Sequence, residues 1–354
     1  MKPLGVLLSL AVTAVGALWW TTPASYPFGA RDRVTVSLSH LFEHDVGGAM
    51  TVAAGLAGLA VALLSARPGK LVRAGAIVQL VFFGIVMSDA GVMSVLGYVV
   101  GLSLPVAVVA AVVVLMVRAC VRGRLWGYVA LAALAVACAA VVVLLGGALW
   151  AYAGNVTAGL RSYAGRMAWT LADLAAFAAW AWITFRLFGG ALPRWAGPEQ
   201  ARRWGRVATV GAALCPLPYA CYRLTWLTPW PTDVAGRIDL PLRLQGLMLA
   251  FAAVTACVLT LGLIGRWGEV FPRWIPMLRG RPVPVPLPVA VGGTVAGACC
   301  LASPGLTVNA VERGEPWALL LWPYPLWGAL LGAAVLAYWL RRRDGGYTPA
   351  STGA

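Results

Sequence analysis

The chain has 354 residues, of which 61% are hydrophobic and only 11% charged, with a mean hydropathy of +0.82 and a formal net charge of +15. A soluble globular chain carries about 25% charged residues, so water cannot be the solvent for most of this surface. The net positive charge has to be read by its distribution before it is taken as a sign of nucleic-acid binding.

Apolar runs of about 17 to 25 residues recur from end to end, the length needed to cross roughly 30 Å of hydrocarbon. Helices satisfy their own backbone hydrogen bonds in lipid, and the alternating pattern of a transmembrane barrel is absent. The expected fold is an all-α polytopic transmembrane helical bundle in the cell membrane, a single transmembrane domain of about ten spans. The spans are placed at 3–20, 46–66, 71–88, 97–117, 126–150, 168–189, 205–228, 244–265, 286–308 and 318–340.

The first run follows Lys2 and ends in Trp19-Trp20, with no small-x-small cleavage site, so a membrane span is favoured over a cleaved signal peptide. Just before the second span, both histidines of the chain fall in His40-Leu41-Phe42-Glu43-His44, followed by Asp45. If this stretch is helical, His40, Glu43 and His44 share one face. That order is the H-x-x-E-H arrangement of inverzincins, in which the His pair holds zinc and the Glu activates its water. A zinc-like divalent ion is therefore a possible cofactor, with its third ligand expected from Asp89, Asp173, Asp233 or Asp239, the first two preferred. The alternative reading is a solvated, polar helix start. No other cofactor is required.

Between the third and fourth spans Ser88-Asp89-Ala90-Gly91, and then Gly101 and Pro105, interrupt the apolar stretch as either a tight outer turn or a broken helix. Asp89 and Asp173 are expected at the outer ends of their spans, and Arg223 about one turn from the end of the seventh. A charge buried alone in the membrane is costly, so Arg223 is expected to pair with Asp173 or Asp89, to snorkel to headgroups, or to contact a ligand. The same span carries Cys215-Pro216-Leu217-Pro218-Tyr219, whose prolines remove helix hydrogen bonds. Gln79 and Gln245 within spans, and Asn309 just beyond one, are expected to be packing amides.

The connection from about 266 to 286 interleaves Arg, Trp and Pro, and reads as an interfacial segment against anionic headgroups or as a stiff linker. Its stretch Arg266-Trp267-Gly268-Glu269-Val270-Phe271-Pro272-Arg273-Trp274-Ile275-Pro276, together with Asp89 and Gly97-Tyr98, resembles an uncharacterised group of actinobacterial multi-spanning membrane proteins. The resemblance implies the membrane class and carries no activity.

Ten spans place nineteen of the 27 basic residues with three acids on one side, and eight basic residues with nine acids on the other. By the positive-inside rule the chain is N-in and C-in, with residues 341–354 a short cytoplasmic tail and anionic lipid a partner at the cytoplasmic face. The same split accounts for the net charge without nucleic acid. Many of the seventeen Trp fall at expected helix ends, where the ring sits in the apolar layer and the N–H among headgroups. The seven Cys lie in or beside spans and imply no disulfide framework. No Walker loop, Rossmann glycine fingerprint or kinase signature occurs, so no nucleotide partner is expected.

The function expected from these features is a secondary transporter or exporter of a small apolar or amphipathic molecule. Asp89, Asp173 and Arg223 would bind substrate at an outward-facing site, and His40 and His44 would couple protons. One alternative is a membrane-embedded enzyme acting on a lipid or isoprenoid-like substrate at the extracytoplasmic side, with His40, Glu43, His44 and Asp173 catalytic. Another is a structural or sensor subunit.

Overall fold

A computed structural model describes residues 2–29, 36–66, 69–188, 197–228, 239–273, 275 and 278–343. Asp233 and most of the expected cytoplasmic tail lie outside the described residues. The helices are α1 Lys2–Thr21, α2 His44–Leu64, α3 Lys70–Val81, α4 Gly91–Val121, α5 Leu125–Ser162, α6 Ala164–Leu187, α7 Pro198–Leu214, α8 Leu217–Thr225, α9 Leu240–Gly262, α10 Pro286–Glu312, α11 Ala318–Leu321 and α12 Tyr324–Arg343. Among the described residues there is no strand, only two isolated bridges, Ser37 with Asp89 and Val270 with Pro282.

Among the described residues, seven helical stretches are long and apolar enough to cross a membrane: α1, α2, α5, α6, α9, α10 and the run from α11 through α12. This all-helical architecture is compatible with a helical membrane bundle. Of the three remaining expected spans, 97–117 lies within the unbroken helix α4 and the other two carry defects. α3 passes into a π-helical turn at Phe82–Val86, and α7 is separated from α8 at Cys215-Pro216, where the proline ring cannot donate to the helix ladder. At Met87–Ala90 the chain reverses. Arg73 at the start of α3 donates to the Leu187 carbonyl at the end of α6, whereas Asp89 meets Arg166 at the start of α6. Several helices run past their expected ends, α4 among them, which reaches Val121. α5 has no proline to stop it after Trp150 and continues to Ser162, while α10 continues to Glu312 and is followed by Gly314 at φ 68°.

α1 and α2 form the tightest pair, because glycines remove the side chains at their crossing. A Cβ on Gly16 would stand 2.6 Å from the Val52 nitrogen, and one on Gly48 2.6 Å from the Trp20 nitrogen. In lipid, where apolar surface gains little from leaving solvent, such backbone approach is what holds helices together. This pair packs on α3 and α6 around Trp19, Phe83, Met87, Trp169 and Trp180. Trp19 contacts Tyr26, Phe28 and Trp169 edge-on, so this residue and the buried Trp226 are interior rather than headgroup anchors. Trp20, Trp126, Trp150 and Trp317 stay exposed.

A second core joins α7, α9, α10 and α12 through Ala212, Ala296, Cys299, Leu331 and Tyr338. A third cluster, with Val92, Leu174, Ala298 and Leu301, ties the two halves together where α4, α6 and α10 meet.

Candidate functional site

The polar groups at one end of the bundle fall into two clusters. In the first, the reversal at Met87–Ala90 carries Asp89 into the interior, where it is 1% exposed. Arg166 Nε donates to Asp89 Oδ2 at 2.7 Å and Arg166 Nη2 to Oδ1 at 2.9 Å. The Gly91 amide donates to Oδ1 at 2.8 Å, and the Thr170 hydroxyl lies 3.1 Å from Oδ2 while also 2.8 Å from the Arg166 carbonyl. Three N–H donors thus satisfy this carboxylate, and the single Thr170 hydroxyl proton is shared between Oδ2 and the Arg166 carbonyl, which together give a buried anion the partners it needs. The guanidinium also lies over the Phe28 ring, 5.3 Å from its centroid.

Arg166, Thr170 and Asp173 follow one another at helical spacing on α6. Because α6 begins at Ala164, Asp173 stands nine residues, about 14 Å, along the helix rather than near its end. It is 1% exposed, and among the described residues its Oδ1 has no hydrogen-bond partner. Arg223 does not reach either acid. The expected pairing is replaced by Arg166 with Asp89, because the reversal at residues 87–90 brings Asp89 to the first turn of α6.

The arrangement expected for His40, Glu43 and His44 is not formed either. His40 belongs to a short 3-10 turn, Leu38–Leu41, and its Nδ1 is hydrogen-bonded to the Ser37 carbonyl. Phe42 and Glu43 are extended, and α2 starts only at His44, so the three side chains do not share a helical face. The turn is held by other bonds: Tyr26 donates to the Ser39 carbonyl at 3.1 Å and Ser39 to the Val86 carbonyl at 3.2 Å. Among the described residues no group of three or more His, Cys, Asp or Glu is placed to hold a metal.

The second cluster surrounds a cavity of about 540 Å³ bounded by α4, α8, α9, α10, α11 and the start of α12. Its rim carries Arg223, Tyr219, Gln245, Asn309 and the exposed Arg313 and Glu315. Its depth is lined by Cys215, Leu249, Ala253, Ala256 and Val295. From Gln245 to Ala256 along α9 is about 16 Å, so the cavity reaches well into the bundle. Beyond that level the second core, with Leu263, Ala296, Leu331 and Tyr338, fills the space.

Arg223 is held by aromatic rings. Its Nε donates to the Tyr219 hydroxyl at 2.9 Å, and its guanidinium carbon lies 4.0 Å from the Trp226 centroid and 5.1 Å from that of Tyr219. A smaller cavity of about 330 Å³ lies between α4, α5 and α6, lined by Asn155, Tyr163, Arg166 and Thr170. Ser94 and Gln245 border both cavities.

Of the residues expected to form a site, Arg223 alone lines the large cavity; His40, Glu43, His44, Asp89 and Asp173 do not. Arg166 and Tyr219 were missed. An Arg in the first turn of an apolar helix, followed by Thr and Asp at helical spacing, was the available signal for Arg166. The i to i+4 step from Tyr219 to Arg223 was the signal for the aromatic clamp. Gln79 donates to the Ala54 carbonyl at 2.9 Å and links α3 to α2.

No family model, no curated protein and no solved structure matches the chain.

Proposed function

We propose that the chain is a secondary transporter or exporter of a small amphipathic molecule, which occupies the 540 Å³ cavity. The observation that carries this reading is the cavity's polarity. A rim of Arg, Tyr, Gln, Asn and Glu leads into an apolar depth that stops partway through the bundle. Its size falls within the roughly 300–1,000 Å³ of small-molecule sites. One wall is α8, severed from α7 at Cys215-Pro216, and interrupted helices beside a membrane cavity suit a bundle that rocks around a bound substrate.

The segregation of charge supports an orientation in the cell membrane with both termini cytoplasmic and the cavity rim extracytoplasmic. Arg118, Arg124, Arg186, Arg202, Arg266, Arg341 and Arg342 then face the cytoplasmic leaflet and its anionic lipid. The rival enzymatic reading loses support because His40, Glu43, His44 and Asp173 do not line this cavity.

Vesicles loaded with a cell extract test the proposal. At least one amphipathic species should redistribute faster than in vesicles lacking the protein, and Ala253→Trp, which fills the cavity, should stop it. Redistribution of no species, or redistribution indifferent to Ala253→Trp in a folded protein, rejects transport through this cavity.

A further inference from the structure

The chemistry of the Arg223 clamp narrows the ligand. Arg223 is half-buried at the cavity rim, and among the described residues no carboxylate lies within ion-pair distance of it. Trp226 and Tyr219 lie against its guanidinium, and the bond to Tyr219 uses only Nε. The two terminal nitrogens of the fork are left to offer parallel N–H donors in the guanidinium plane. A planar pair of donors matches a carboxylate or phosphate edge. A cation kept at a membrane-embedded cavity without a protein counter-ion leaves its desolvation uncompensated until an anion arrives.

The other charged residues of the lining are Arg313 and Glu315, which are exposed and carry opposite signs, so the cavity as a whole is positive by one charge. Below Arg223 the walls include Leu249, Ala252, Ala253, Ala256 and Val295, and among the described residues the ionisable side chains there are the Tyr219 and Tyr324 hydroxyls and the Cys215 thiol. The apolar part, from Leu249 to Ala256, runs about 10 Å along α9.

We infer that the ligand is a free, single-chain anionic amphiphile, with its carboxylate or phosphate head on Arg223 and its hydrocarbon tail along α9 and α10. The inference rests on the reading of this cavity as the substrate site. A drug-sized volume suits one chain better than the two chains of a bilayer phospholipid.

The test is photo-crosslinking in nanodiscs of zwitterionic lipid. A decanoate probe with a diazirine near the tail end is irradiated with the full chain, and the labelled peptides are mapped by mass spectrometry. Label is expected on α9 and α10 around Ala253, Ala256 and Val295. Decanoate and decyl phosphate should compete at least tenfold better than decanol or decyltrimethylammonium. Arg223→Gln should remove that preference, and Arg223→Lys should retain part of it. Equal competition by the cationic or neutral decyl compounds, with label still in the cavity, overturns the anion assignment while leaving the cavity reading intact. Absence of label in the cavity from both the decanoate probe and a neutral diazirine-decanol probe overturns the cavity reading itself. Phosphatidylglycerol in the disc that competes as well as decanoate overturns assignment to a free ligand. An unchanged melting profile of Arg223→Gln separates lost binding from lost fold.

Discussion

Arg166 grips Asp89 through both oxygens, at 2.7 and 2.9 Å, across 77 residues of sequence, with both residues buried. The pair fixes the α3–α4 reversal to the first turn of α6. Removing one partner leaves a buried charge with donors or acceptors unfilled, which costs about 3–5 kcal/mol. Asp89→Ala and Arg166→Ala should each lower the unfolding midpoint in detergent steeply. Asp89→Leu/Arg166→Met, which removes both charges, should recover most of that loss. A double variant as unstable as the sum of the single ones would show that the two residues act independently.

The reversal also shows what was legible in the sequence. The membrane class, the helical character of each apolar run and the interruption at Ser88–Gly91 follow from hydropathy and from Gly and Pro placement. Asp89 and Arg223 could be recognised as charges needing partners. Arg223 was the expected partner of Asp89, and Arg166 takes that place because the pairing depends on which helix ends meet in space. The helix-face argument for His40 and His44 failed because Phe42 and Glu43 are extended, and two histidines give too little pattern to set a backbone conformation. The start of α6 was misplaced by four residues because Ala164–Met167 contains Arg166, whose charge hides a helix turn from hydropathy.

The glycines between α1 and α2 give a second prediction. A side chain on Gly48 meets the backbone of Trp20, which cannot move aside as a flexible side chain would. Gly48→Leu should force the helices apart and cost about 1–3 kcal/mol or more, in line with overpacked cores. Gly123→Ala provides the contrast in space, since nothing lies within 4 Å of a Cβ there, but its φ of 68° adds backbone strain. Gly147→Ala, in open space within α5, is the cleaner control and should leave the unfolding midpoint unchanged or slightly raised. Equal losses for Gly48→Leu and Gly147→Ala would contradict close helix approach as the cause.

Metal dependence is the third prediction. His40 uses Nδ1 on the Ser37 carbonyl, and its neighbours are spread over a turn, an extended link and a helix start. Chelator treatment should therefore leave the melting profile of untagged protein unchanged. Stoichiometric zinc that is lost in His44→Ala would show that the two His close on an ion after all.

The most direct test of the transport account is two-sided access to the cavity. With all seven cysteines replaced, Ala256→Cys places one thiol deep in the cavity, about 16 Å along α9 from the rim amide Gln245. A membrane-impermeant maleimide is applied separately to each face of oriented vesicles. A transporter that exposes the cavity alternately should be labelled from both faces, with anionic amphiphile slowing the reaction from each. Labelling from one face alone, under every ligand and gradient condition, would contradict alternating access and leave only a one-sided binding cleft.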